Sequence, residues 1–235
     1  MMQKIIQKID DTMSWLLGNT CNETKFLKNF FNKKIIYIDI GVNQGSFYKK
    51  ISKICKIKKA ILIDPIIFPL KIVKSNTILI KAGISNKITN KKFYHYNITA
   101  HSSFYKRNNI LGSLSALKEV EIIKTETLDN IFLKNNLKYI DFIKIDAQNE
   151  EYNILLGAKK ILENKKITLI KVEISNISFY KNQKSNFYLI VHYLNRYNYS
   201  LINISKIKYH KNHLAMIDAY FSRDNFVESQ NLSIT

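Results

Sequence analysis

Residues 35–48 read IIYIDIGVNQGSFY, and this stretch constrains the fold more than any other. An apolar, β-branched run, Ile35-Ile36-Tyr37-Ile38, ends in Asp39. Such a run suits a strand buried on both faces, as in a parallel sheet. Gly41, Asn43 and Gly45 follow, and the chain continues into Ser46-Phe47-Tyr48. Only six glycines occur in 235 residues, and two of them fall here. Glycine permits a sharp turn and close approach of the backbone to a ligand. A strand that turns through glycines into a helix is how open α/β sheets hold nucleotide-like ligands beyond the strand's carboxyl end. The spacing is Gly-x-x-x-Gly after an acid, which differs from the Gly-x-Gly-x-x-Gly of a dinucleotide site.

The length suffices for one full-sized domain with a real core. At 46% hydrophobic residues the chain is not of the disordered class. No apolar run approaches a membrane span. The N-terminus MMQKIIQKIDD lacks a signal peptide's apolar core. Cys21 and Cys55 show neither disulfide nor metal spacing, and a cytosolic location is expected. The net charge of +19 invites a nucleic-acid reading, but arginine stands only at 107, 196 and 223. Arginine is the preferred residue for planar phosphate recognition. The lysines are scattered as on a solvated surface. Lysine, asparagine and isoleucine are inflated together, as base composition would do. A glycan, a sugar nucleotide and RNA all stay open as anionic partners.

Residues 1–33 read as a helical extension, with Ile5, Ile9, Met13 and Leu16 on one face and Phe26, Leu27, Phe30 and Phe31 on a second. Residues 34–235 read as one domain. Strands are expected at 35–39, 59–63, 77–81, 92–96, 120–124, 139–146 and 167–174, with a closing hairpin near 199–204 and 214–221. Helices are expected at 46–54, 67–73, 127–133, 150–162 and 186–195. Ala82-Gly83-Ile84-Ser85-Asn86 reads as a loop over the site. Residues 98–114 are polar and aperiodic, a length at which loops are usually functional. The alternation implies a mostly parallel sheet covered on both faces.

Asp64-Pro65 closes the second strand, about 20 residues beyond Gly45. An acid there commonly binds a ribose diol, because its two oxygens accept from adjacent hydroxyls. Strands FIKID and LIKVEI each carry a lysine and an acid two residues apart, hence on one face. Lys144, Asp146, Lys171 and Glu173 would then meet near the strand ends, as an ion-pair network or as a catalytic cluster. The histidines at 95, 101, 192, 210 and 213 show no metal spacing.

The chain resembles the FkbM-type S-adenosylmethionine-dependent methyltransferases over about Ile35 to Phe221. Asp39-Ile40-Gly41-Val42-Asn43-Gln44-Gly45 matches the family's Asp-x-Gly-x-Asn-x-Gly. Asp64-Pro65 matches its acid-proline pair, where glutamate is usual. Ser102-Ser103, Thr127-Leu128-Asp129 and Val172-Glu173-Ile174 match further elements. Lys144-Ile145-Asp146-Ala147-Gln148-Asn149-Glu150-Glu151 stands for Lys-Ile-Asp-Val-Glu-Gly-x-Glu, so Gln148 replaces a glutamate and Asn149 a glycine. Glutamine accepts hydrogen bonds but carries no charge, which weighs against a metal at Asp146.

The resemblance implies a class I methyltransferase fold: a Rossmann-like, seven-stranded, mostly parallel α/β sheet with an antiparallel C-terminal hairpin. It implies S-adenosyl-L-methionine as cofactor, held by Asp39, Gly41, Asn43, Gly45, Asp64, Gly83 and Ser103. Asp146, Lys144 and Glu173 are the expected catalytic residues, Asp146 first as base or acceptor orienter. The expected reaction is O-methylation of a sugar hydroxyl on a glycan or related metabolite. RNA 2′-O-methylation and a non-catalytic module keeping the donor fold are the alternatives.

Overall fold

The computed structural model describes residues 22–66, 74–108, 115–183 and 185–223. The expected helices around Ile5–Leu16 and at 67–73 lie outside these residues.

Helix α1 (Glu23–Phe30) is capped by the Asn22 side chain, which accepts from the backbone N–H groups of Thr24 and Lys25. Strand β1 (Ile35–Ile40) is buried at every position. Helix α2 (Ser46–Ile54), β2 (Ile57–Asp64), β3 (Thr77–Lys81) and the two-residue strand β4 (Gly83–Ile84) follow. β5 (Asn90–Tyr96) leads to a 3-10 turn (Thr99–His101) and β6 (Leu117–Glu126). Then come α3 (Leu128–Lys134), β7 (Ile140–Ile145), α4 (Glu151–Leu156), α5 (Lys159–Glu163), β8 (Ile167–Ser175), α6 (Phe187–Asn195), β9 (Tyr199–His210) and β10 (His213–Arg223).

Seven strands form one sheet in the order β3-β2-β1-β7-β8-β10-β9. β1, β2, β3, β7 and β8 run parallel, and β10 is antiparallel to both its neighbours. β1 has β2 on one side and β7 on the other, so the topological switch point lies between β1 and β7. Ligands of open α/β sheets sit at that point, outside the carboxyl ends of the strands. A second, three-stranded sheet has the order β4-β6-β5 and places β5 at its edge. The expected loop at 82–86 therefore contains a short strand, because Gly83 and Ile84 pair with Thr125 and Glu126.

Strand alternation gives the main sheet two differently filled faces. Ile36, Ile38, Ile40, Ile143, Ile145, Ile170, Val172 and Ile174 pack under α3 to α6, against Leu128, Ile131, Ile154, Leu155, Ile190 and Leu194. On the other face Ile35, Tyr37, Phe142, Leu169 and Tyr220 meet Leu27 and Phe31 from the α1 region and Tyr48 and Ile51 of α2. Each fully buried side chain of this kind contributes roughly 2 kcal/mol. Toward the carboxyl ends this second face turns from apolar to charged.

The helix expected over 150–162 is broken. α4 ends at Leu156, the Gly157 carbonyl accepts from the Asp129 N–H at 3.0 Å, and the Asp129 carboxylate accepts from Lys160 and Ile161 N–H at 3.0 Å each. Asp129 thus caps a fresh helix and outcompetes continuation of the old one. The hairpin is also longer than expected. Its two-residue turn, Lys211-Asn212, has φ of 46° and 64°, the left-handed pair that matches strand twist.

Candidate active site

The charged row begins with register. Asp39 pairs with Lys144 across β1 and β7, Lys144 with Lys171 across β7 and β8, and Lys171 with Tyr220 across β8 and β10. Two lysines directly opposite each other repel, so each needs acids at its flanks. Lys144 Nζ lies 3.2 Å from Asp39 Oδ1 and 3.3 Å from Asp146 Oδ2, and it donates to the Gly41 carbonyl at 3.1 Å. Lys171 pairs with Glu23 of α1 and, at 2.8 Å, with Asp218 of β10. Glu23 also takes Lys50 and the Tyr220 hydroxyl.

The four-residue grouping expected from the strand motifs is therefore divided. Lys144 pairs with Asp146, but Lys171 does not serve Glu173, whose partner is Lys206 of β9 at 3.0 Å. Glu23, Asp218 and Lys206 were not found by sequence reasoning. Asp218 carried a signal, an acid inside the apolar run Met216–Phe221, of the kind that marked Lys144. Glu23 carried none.

Electrostatics follow from this pairing. Burial opposes the Lys144 charge, but Asp146 and Asp39 outweigh it and keep the ammonium charged. Burial alone would raise Asp146; the Lys144 charge and hydrogen bonds from Glu173 and Gln148 hold it below the usual carboxylate range. Burial, and next the Asp146 charge, push Glu173 up to about 7, with Lys206 pulling the other way. Asp146 and Glu173 thus form a carboxyl pair that shares one proton near neutrality.

Gln148 organises this pair. Its Nε2 donates to Asp146 Oδ1 at 3.0 Å and to Glu173 Oε2 at 3.2 Å. Its Oε1 accepts from the Tyr180 hydroxyl at 2.8 Å, and its backbone carbonyl accepts from Ser103 Oγ at 2.6 Å. Gln148 and Asn149 have φ of 51° and 85°. A glycine adopts such a turn freely, and asparagine is among the side chains that tolerate it best.

Two cavities meet at this turn. The first encloses about 670 Å³, counting its open mouth, and is walled by Ile63, Asp64, Ile66, Ile84, Phe93 and Phe104. Asp64 Oδ2 accepts from Asn43 N–H and Oδ1 from Ile66 N–H, both at 2.8 Å. Burial nevertheless pushes its carboxyl up to about 6. The second cavity encloses about 960 Å³ and is lined by Phe47, Lys144, Lys171, Glu173, Lys206 and Asp218 among others. Gly41, Asn43, Ala100, Asp146 and Gln148 line both. Thr99 Oγ1 donates to Asn43 Oδ1 at 3.1 Å, strapping the 3-10 turn to the glycine loop.

The residues expected to bind a cofactor divide in the same way. Gly41, Asn43, Asp64 and Gly83 line the first cavity. A Cβ on Gly41, at φ +79°, would stand 1.7 Å from the Asp146 carbonyl oxygen, so β1 and β7 close here only through glycine. Asp39 is fully buried beneath the cavity, between Tyr37 and Lys144. Burial lifts its carboxyl even against those partners. Gly45 stands at the N-cap of α2, and Ser103 is buried behind Gln148; neither is among the residues lining these two cavities.

A seven-stranded sheet with an antiparallel penultimate strand, an acid after β2 and adjoining cavities at the switch point define a class I S-adenosylmethionine-dependent methyltransferase. The family model described as the methyltransferase FkbM domain matches residues 39–201, and the chain belongs to that family. No curated protein matches the sequence. Among solved structures, the chain is similar to M. capricolum TrmK in complex with S-adenosyl-homocysteine, with 12% identity over 87% of this chain and 69% of that one and a TM-score of 0.44. It is similar to the N-methyltransferase NodS from Bradyrhizobium japonicum, with 10% identity, 85% and 93% coverage and a TM-score of 0.46. It is also similar to 1,6-didemethyltoxoflavin-N1-methyltransferase from Burkholderia thailandensis, with 6% identity, 94% and 88% coverage and a TM-score of 0.46.

Proposed function

We propose that this protein transfers a methyl group from S-adenosylmethionine to a sugar hydroxyl of a glycan or related metabolite. One observation carries the reading: a carboxyl pair, Asp146 and Glu173, stands at the wall of the second cavity, with Glu173 poised near pH 7. A hydroxyl is a poor nucleophile until its proton leaves, and a base with pKa near the working pH does this best. An unprotonated amine or ring nitrogen has no such need. Charged and amide side chains dominate the second cavity, which favours a polyhydroxylated acceptor over a flat aromatic one.

The first cavity fits the donor. Asp64 offers a carboxylate to a ribose diol, Ile66, Ile84, Phe93 and Phe104 offer an apolar slot to adenine, and the Gly41–Asn43 backbone stands where the aminoacid portion would lie. When bound, the donor supplies an electrophilic methyl on sulfonium. Asp39, Gly45 and Ser103 support this site from behind, through Lys144, the α2 N-terminus and the Gln148 carbonyl. On the acceptor side, Asp146 orients the hydroxyl and the Asp146–Glu173 pair takes its proton. Lys144 keeps Asp146 ionised for that step, and Gln148 fixes both carboxylates through its two N–H groups.

Tritium transfer from labelled S-adenosylmethionine to a saccharide panel tests the reading. Asp146→Asn should abolish transfer and retain S-adenosylhomocysteine binding by calorimetry; full activity in that variant refutes the assignment. RNA 2′-O-methylation is the second reading, because Lys144, Asp146, Lys171 and Glu173 all line one cavity. RNA binding that falls steeply with salt, together with transfer to RNA, would favour it.

A further inference from the structure

A third cavity opens beside the second and shares His101, Gln148, Lys208 and Met216 with it. It encloses about 700 Å³, and its further walls come from Arg107, Phe179, Tyr180, Tyr209, His210 and Ala215. Its charge differs from that of its neighbour. The second cavity balances lysines against Asp146, Glu173 and Asp218, whereas among the described residues no carboxylate lines the third. Arg107 and Lys208 are its formal cations. Burial, and then the Arg107 charge, hold His101 below the usual imidazole range, so it offers a neutral ring.

Arg107 is the centre of the argument. Its backbone is fixed on both sides: it bridges to Tyr180, its N–H donates to the Tyr96 hydroxyl at 2.8 Å, and Asn108 N–H donates to the Phe179 carbonyl at 2.8 Å. Lys181 N–H donates to the Lys106 carbonyl at 2.8 Å. The side chain, in contrast, has a buried Nη1 with no partner among the described residues. A guanidinium on a fixed backbone, with a buried N–H unmatched and no acid among the described residues of its cavity, is a costly arrangement unless an anion completes it. Its planar fork fits a carboxylate or a phosphate. Tyr209, exposed on the hairpin, and Phe179 line the same cavity.

We propose that the third cavity is a subsite for an anionic group, carboxylate or phosphate, carried by the acceptor saccharide, with Arg107 and Lys208 as its ligands. This rests on the acceptor occupying the second cavity. The shared wall at Gln148 and Lys208 lets one molecule reach both, its hydroxyl at Asp146 and its charge at Arg107. A cavity with one buried, unmatched guanidinium N–H suits one discrete anionic group better than an extended polyanion, whose successive phosphates need a row of cations.

The chain has three arginines, at 107, 196 and 223, so a 15N-arginine spectrum contains three Nε signals. Inorganic phosphate, glucose 6-phosphate and glucuronate should each shift one signal saturably, and that signal should be absent in Arg107→Gln. Glucose should leave it unmoved and bind about ten-fold more weakly than glucose 6-phosphate, as loss of one charge-assisted contact requires. Lys208→Gln, on the exposed strand, should weaken both phosphates without altering the melting temperature. By calorimetry, Arg107→Lys should retain part of the inorganic phosphate affinity that Arg107→Gln loses. Absence of a shift, equal shifts at all three arginines, or a shift persisting in Arg107→Gln overturns the proposal. A response to poly(U) with none to the three small anions also overturns it, in favour of RNA. Calorimetry with S-adenosylhomocysteine and tritium transfer are run alongside. Saccharide methylation without an anion response removes this subsite alone; an anion response without saccharide methylation removes the proposed reaction alone.

Discussion

Glu23 is the only acid that α1 contributes to the sheet, and Glu23→Gln measures what that contribution is worth. The carboxylate receives Lys171, Lys50 and the Tyr220 hydroxyl. Burial raises its pKa, but the Lys171 charge and these hydrogen bonds outweigh burial and bring it from 4.5 down to about 2. At about 1.4 kcal/mol per pH unit, that drop corresponds to roughly 3 kcal/mol of stability. Loss of one partner from a buried ion pair costs about the same, ~3–5 kcal/mol, because Asp218 is then the one acid left to Lys171 among the described residues. Because the folded pKa lies below the unfolded one, the stabilisation is fully present above pH 4.5 and vanishes as pH falls through about 2. Urea unfolding of wild type and Glu23→Gln should differ by about 3 kcal/mol at pH 7 and converge toward pH 2. A difference under about 1 kcal/mol at pH 7, or one that does not shrink on acidification, refutes the reasoning.

Gly41→Ala should destabilise the fold by more than about 2 kcal/mol, since it adds a clash with the Asp146 carbonyl to a left-handed backbone; thermal unfolding checks this. Glu173 titrates near 7 against an ordinary 4.5, so its contribution to stability is present below 4.5 and lost as pH rises through about 7. Stability measured at pH 5 and pH 8 should therefore fall with pH, and Glu173→Gln should flatten that dependence. Gln148→Leu removes the N–H groups that stabilise both carboxylates, so the acid limb of the pH–rate profile should move alkaline by about one unit; an unchanged profile would count against the clamp.

Some of this was legible in the sequence because it is written in periodicity. Runs such as IIYIDI and IDFIKI are apolar but for Asp39, Asp141 and Lys144, a density that suits a strand covered on both faces, and their order pointed to the parallel sheet. The charged strand pairs of β7 and β8 were conspicuous because charge is costly in such runs. What stayed hidden depends on tertiary partners. Nothing near Glu23 says that it reaches a lysine 148 positions along the chain. The swap of Lys206 for Lys171 as the partner of Glu173 follows from the placement of β9 beside β10, which local pattern does not encode. The broken helix at Gly157 needed Asp129, whose capping role depends on a neighbouring helix. The replacements at 148 and 149 were visible as letters, but the amide clamp and the left-handed turn they form were not.

The antiparallel hairpin gives this architecture a division of labour. The first cavity, proposed for the donor, is walled largely by the parallel half of the sheet and the segment around β5, while Lys206, Lys208, Tyr209, Met216 and Asp218 of the hairpin line the second and third. Gly41, Asn43, Ala100, Asp146 and Gln148 belong to both the first and the second. If the second cavity holds the acceptor as proposed, substitution along the hairpin should alter acceptor choice and leave S-adenosylhomocysteine affinity unchanged.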